Sequence, residues 1–144
     1  MVALTSDRNT PERVGDLRAG LAAANVRIFA GALIMRTADG HLAPGATATG
    51  AVGAGRADIA ADNTGGAAGA ISVDWRKGIF RFNNPAAADL ITLADIGRPC
   101  FIVDDNTVAR TNGSATRSPP GVVEDVDAIG VWVRLDEALT RALA

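Results

Sequence analysis

Cysteine, histidine and lysine each occur once in the sequence, as Cys100, His41 and Lys77. One cysteine excludes an intrachain disulfide, and one histidine leaves any zinc site to be completed by Cys100 and carboxylates, so neither is expected. An excess of positive charge is missing as well: 14 Lys and Arg stand against 16 Asp and Glu, for a net charge of −2. Nucleic-acid binding depends on clustered cations that displace counterions from phosphates, whereas here the basic residues, nearly all arginine, are scattered singly. The same scatter provides no polybasic patch for a membrane surface, and no apolar run approaches the roughly 20 residues of a membrane span. Met1 to Arg13 is polar and charged rather than a basic segment ahead of an apolar one, so a soluble, intracellular chain is expected.

What is present suits one folded domain. At 144 residues, 48% of them hydrophobic, the chain has enough apolar material for a continuous core. Thr5 to Gly15 (TSDRNTPERVG) is polar, carries Pro11 and has no apolar period, so it reads as an extended arm, and residues 1–25 as arm plus lead-in. Within the lead-in, Leu17 to Asn25 is interrupted by Gly20 and lacks a cap, which leaves it as loop or short strand. The body, 26–135, opens with the apolar, β-branched run Val26 to Met35. Asp39-Gly40 follows, a dipeptide that closes tight hairpins. Pro44 to Gly55 is rich in Gly, Ala and Thr, with few side chains large enough for a core, and Asp62 to Gly66 is a dense turn cluster.

Ala70 to Phe82 (AISVDWRKGIFRF) carries the clearest strand pattern. Ile71, Val73 and Trp75 alternate with Ser72, Asp74 and Arg76, and the alternation resumes beyond Lys77-Gly78, where a tight turn or a glycine bulge intervenes. Further strands are expected at Phe101 to Val103, Gly121 to Val126 and Ile129 to Leu135. The tail, 136–144, has its acids first and Arg141 late, which suits a short helix. All six aromatic residues, Phe29, Trp75, Phe80, Phe82, Phe101 and Trp132, fall in predicted strands and are assigned to the core. The expected fold class is therefore mainly β, a small β-barrel or β-sandwich with an extended N-terminal arm and a short C-terminal helix.

No catalytic constellation emerges. Gly50 to Gly55 (GAVGAG) has glycines like those of a dinucleotide loop, but no apolar strand precedes it, no helix-length period follows it, and no Walker lysine is present. His41 follows the Asp39-Gly40 turn directly and is read as a solvent-facing turn residue rather than a general base. Cys100 opens an apolar strand, where cysteine behaves as a small buried hydrophobe. Asp104-Asp105 and Glu124-Asp125-Asp127 offer oxygen donors to Ca²⁺ or Mg²⁺ without the spaced loop of an EF-hand, so turn formation accounts for them. Trp75, Phe80, Arg81 and Phe82 mix aromatic and basic character as a single-strand stacking platform does, yet overall acidity and strand alternation favour packing of one face. No catalytic residue, metal or cofactor is assigned.

Several segments in order carry a resemblance. They are the polar opening Thr5 to Thr10, Phe29-Ala30-Gly31-Ala32-Leu33, the Asp39-Gly40 turn before Leu42-Ala43-Pro44-Gly45, and Gly53 to Ala57. Asp62-Asn63 with Gly65-Gly66, Arg76 to Phe80, and the closing Gly130-Val131-Trp132-Val133-Arg134-Leu135 complete the series. Together they resemble head decoration (capsid cement) proteins of tailed phages and prophages, of Mu-like or siphophage type. The resemblance implies a small β-barrel or β-tulip body that sits as a homotrimer on the outer capsid surface and stabilises the mature head. It also implies that Thr5, Ser6, Asp7, Arg8, Asn9, Thr10 and Pro11 reach onto the major capsid protein. The implied location is the virion, with the host cytoplasm during assembly, and no enzymatic role, nucleic acid or membrane is involved. Another phage structural β protein, of tail, spike or head completion, is the alternative. A small hydrolase or metal-dependent enzyme built on His41 and the carboxylates stands behind it.

Overall fold

The computed structural model of the protein describes residues 2–143. Its strands in chain order are β1 (Leu17–Leu21), β2 (Arg27–Ile28), β3 (Leu33–Arg36), β4 (Leu42–Pro44), β5 (Val52–Ala57) and β6 (Ala61–Asp62). They continue with β7 (Ser72–Arg76), β8 (Gly78–Phe82), β9 (Phe101–Asp104), β10 (Thr107–Ala109), β11 (Gly121–Val126) and β12 (Val131–Leu135), and the helix α1 (Glu137–Leu143) closes the chain. Short 3-10 turns at Ala87–Asp89 and Leu93–Asp95 lie between β8 and β9. The fold is mainly β, as expected from the clustering of turn formers between apolar runs.

One sheet has the order β1-β7-β5-β3-β4, a second the order β11-β12-β8, and two strand pairs, β9 with β10 and β2 with β6, complete the body. Every pairing of neighbouring strands is antiparallel. The five-stranded sheet curls until a single parallel bridge, Ala22 to Leu42, links its two edges. It does not close along its length, so of the two expected architectures the sandwich fits and a closed barrel does not. Alternation along β3 and β4 divides the core. Leu33, Met35 and Ala43 pack with Phe82, Ile102, Val123, Val131 and Val133 between the sheets, while Ile34 and Leu42 turn inside the curl toward Ala54, Val73 and Trp75.

Four expectations change. Leu17–Leu21 is a strand paired with β7, so the body begins at Leu17 rather than at Val26. The run Val26 to Met35 breaks into β2 and β3 around Gly31, whose φ of 85° breaks the strand. The Gly/Ala-rich stretch supplies β5, a buried strand at the centre of the sheet. Small residues are needed there because backbones touch: a Cβ on Gly53 would lie 2.4 Å from Pro120 Cα, and one on Gly55 would lie 2.1 Å from the Arg76 carbonyl oxygen. Finally, Lys77-Gly78 is neither a hairpin turn nor a bulge within one sheet. The chain passes there from the five-stranded to the three-stranded sheet, Gly78 takes φ 145°, and the inward positions shift from Val73 and Trp75 to Phe80 and Phe82.

The aromatic residues divide by strand parity. Trp75 and Phe82 are core residues, and Phe80 is half-buried against the same cluster as Phe82. Trp132 lies between inward-facing Val131 and Val133, so its ring stands outside, under the Arg81 guanidinium, and its Nε1 donates to Asp127 Oδ2 at 2.8 Å. Phe101 is half-buried at the wall of a groove. Phe29 is not in the core at all. It follows the two-residue strand β2 in the turn toward Gly31, is 57% exposed, and is covered on one face by Arg27. The helix α1 is tied to the body by Arg36, which donates to both carboxylate oxygens of Glu137 at 2.9 and 3.0 Å.

Candidate functional site

The groups that carry chemistry are engaged in holding turns. His41 is half-buried rather than solvent-facing, with Nδ1 3.2 Å from Asp39 Oδ1 at the end of the β3–β4 hairpin. The Thr37 hydroxyl and His41 hold the Asp39 carboxyl down to about 2. Cys100 is fully buried, and burial pushes its thiol up to about 12. Asp104 accepts the Asn106 N–H at 2.8 Å to close the β9–β10 turn. Asp127 accepts the Trp132 indole N–H and the backbone N–H groups of Ile129 and Gly130, which keep it below the usual carboxylate range. Among the described residues, no group of three His, Cys, Asp or Glu side chains is placed to hold a metal ion.

The arm is a different kind of feature. Every residue from Val2 to Leu17 is exposed, including all of Thr5, Ser6, Asp7, Arg8, Asn9, Thr10 and Pro11. Polar residues without an apolar period fill Thr5 to Arg13, so that stretch has little to bury against its own body. Its exit point is nevertheless fixed. The Lys77 N–H donates to the Asp16 carbonyl at 3.0 Å, and the Arg18 guanidinium folds back to donate to the Gly15 and Leu17 carbonyls at 2.8 and 2.9 Å. The most exposed apolar side chains of the arm are Val2, Val14 and Leu4, at 91%, 79% and 71%.

A groove of about 620 Å³ lies elsewhere on the body, between the segment Thr49 to Val52, the pair Pro99 and Phe101, the strap Asn112 to Pro119, and Arg141 of α1. Its floor is apolar and its charged wall residues are Arg117 and Arg141. The strap has an unusual backbone: Gly113, Ser114 and Ala115 take successive φ values of 60°, 59° and 64°. Left-handed conformations cost non-glycine residues roughly 1–2 kcal/mol each, so the strap must be held from outside. Asn112 does part of this. Its carbonyl accepts the N–H groups of Thr116 and Arg117 at 3.0 and 3.1 Å, and its side-chain oxygen accepts that of Ala115.

Two further anchors complete the strap. Arg117 donates to both oxygens of Asp89 at 3.0 and 3.2 Å, and the Thr111 hydroxyl donates to Asp89 at 2.6 Å. The Arg117 pairing and the Thr111 bond hold the Asp89 carboxyl below its ordinary value. Ser118, buried at the strap's end, donates to the Ala48 carbonyl at 2.7 Å and accepts the Ala51 N–H at 3.2 Å. The sequence marks the strap only by Asn112-Gly113; nothing in it shows that Asp89 pairs with Arg117 or that Phe101 forms a wall. The groove's lining combines an apolar floor with two arginines, Arg117 and Arg141. No family model, curated protein or solved structure matches this chain.

Proposed function

We propose that the protein is a head decoration protein of a tailed phage, bound as a homotrimer to the outside of the major capsid protein and stabilising the mature shell. The observation that carries this reading is the fully exposed polar arm issuing from a fixed exit point on a small β body. A body with an ordered exit and an unburied arm is built to bind through the arm. Extended segments bind by adding backbone hydrogen bonds to a partner's sheet edge, a mode that needs little side-chain specificity. A ligand that binds only the expanded lattice stabilises that lattice by mass action, and repetition over many sites makes weak contacts sufficient. The engagement of Asp104 and Asp127 in turns and the burial of Cys100 agree with a structural rather than a catalytic role.

The test is peptide mass spectrometry and cryo-electron microscopy of purified phage particles whose genome encodes this chain. Peptides of this chain in purified heads, and density for the β body on the outer shell at local three-fold positions, are expected. Absence of the chain from purified particles refutes the proposal, and its presence in tails alone replaces it with another structural role. Deleting residues 1–15 leaves the body folded and abolishes shell binding; full binding by the truncated protein refutes the role of Thr5 to Pro11.

A further inference from the structure

We propose that the apolar tip of the arm, Val2 and Leu4, docks in the Phe101 groove of a second copy of this chain, with Asp7 at the Arg141 rim. Val2 and Leu4 are exposed at 91% and 71%, so in the single chain the tip occupies no groove, its own included. Two exposed apolar side chains on a projecting arm are suited to an apolar recess elsewhere. The groove between Pro99, Phe101 and Pro119 is such a recess.

Opposite charges are available on the two parts as well. Arg117 is already engaged by Asp89, whereas Arg141 is exposed and, among the described residues, has no ion-pair partner. The arm provides an acidic group, Asp7, three residues beyond Leu4. Three residues of extended chain span about 10 Å, which is the reach from a seated Leu4 to Asp7. The reach is also adequate: the 15 residues from Val2 to Asp16 extend to roughly 50 Å, against a diameter of roughly 35–40 Å for a body of this length.

An arm that leaves one copy and enters a groove on the next is a heterologous contact, which closes into a ring when the rotation between copies permits. The polar stretch Arg8 to Pro11 then bridges adjacent copies and is left free to lie on another surface. The docking itself does not depend on the capsid reading; only a ring of three does.

Disulfide trapping tests it. The full chain carrying both Leu4→Cys and Ala115→Cys is oxidised mildly, with fully buried Cys100 as the silent third thiol. A ladder of linked copies is expected. The two single variants, mixed, should give a heterodimer joined through the two introduced thiols, one on the arm and one on the strap, that neither variant gives alone. A cross-link confined within one chain, or none at all, overturns the proposal. Sedimentation gives a second readout: Leu4→Glu, at an exposed position that the fold does not use, should weaken self-association on the order of thirtyfold. Unchanged association overturns the proposal. Either failure leaves the presence of the chain in phage heads untouched, so the two proposals fail separately.

Discussion

Replacing Gly55 with alanine adds one methyl group at the centre of the five-stranded sheet. That methyl would lie 2.1 Å from the Arg76 carbonyl oxygen and 2.7 Å from Trp75 Cε3. A flexible side chain would swing away, but a carbonyl in a sheet and a ring buried to 5% exposure leave only displacement of β5 or β7. Overpacking of this kind costs about 1–3 kcal/mol where side chains yield, so a backbone clash belongs at about 3 kcal/mol or more. The total stability of such a domain is about 5–15 kcal/mol. Gly50→Ala supplies the comparison, since φ is +76° there and a Cβ meets nothing within 4 Å. Its cost is conformational alone, about 1–2 kcal/mol. In urea, with m near 2 kcal/mol/M, Gly55→Ala should lower the unfolding midpoint by about 1.5 M or more and Gly50→Ala by about 0.5–1 M. If Gly50→Ala proves as costly as Gly55→Ala, close backbone approach is not what selects glycine in β5.

Ser118→Ala should cost about 1–3 kcal/mol in the same assay, because it leaves the Ala51 N–H and the Ala48 carbonyl without their buried partner; a loss below about 0.5 kcal/mol, the scatter of surface substitutions, would show that the strap is pinned elsewhere. Cys100 should resist alkylation at about pH 8 in the folded protein and react at once in denaturant, and fast labelling of the native state would contradict its burial and raised thiol pKa. Asp39, Asp62, Asp89, Asp95 and Asp127 are all held below their ordinary values by hydrogen bonds and ion pairs. The unfolded chain therefore binds more protons in acid. The stability these groups contribute is present above the unfolded carboxylate range, near about pH 4, and is lost as pH falls through their lowered values, about 2 for Asp39. Urea midpoints at about pH 7, 5 and 3 check the sign: these groups contribute little change over the first interval and a clear fall over the second, whereas a midpoint that rises on acidification refutes it.

Strands whose side chains do the packing were legible, and strands whose backbones do it were not. Ile71 to Trp75 showed its buried face through alternation alone. Residues 52–57 (VGAGRA) offered no such signal, because its partners are the Pro120 and Arg76 backbones and the residue that fits against a backbone is the one without a side chain. The same lack of size that argued against a core strand is what lets β5 occupy the centre of the sheet. Trp132 illustrates a different misreading. Residue type suggests burial, but the flanking valines already fix the parity, and in a strand parity outranks size.

The candidate site was legible in one half only, for a related reason. The arm is visible from composition, since a segment without apolar period has nothing with which to join a core. The groove depends on pairings between distant positions, Arg117 with Asp89 and Ser118 with Ala48, and on a left-handed run through Ser114 and Ala115 that no propensity favours. Strain held in place by remote contacts cannot be inferred from the strained residues themselves. A segment with that cost persists only where surrounding contacts fix it, and here those contacts shape the wall of the groove facing Phe101. The arm and the groove therefore belong to one question. The same chain carries exposed apolar side chains on its arm and an apolar recess on its body, and the proposed docking joins them between two copies.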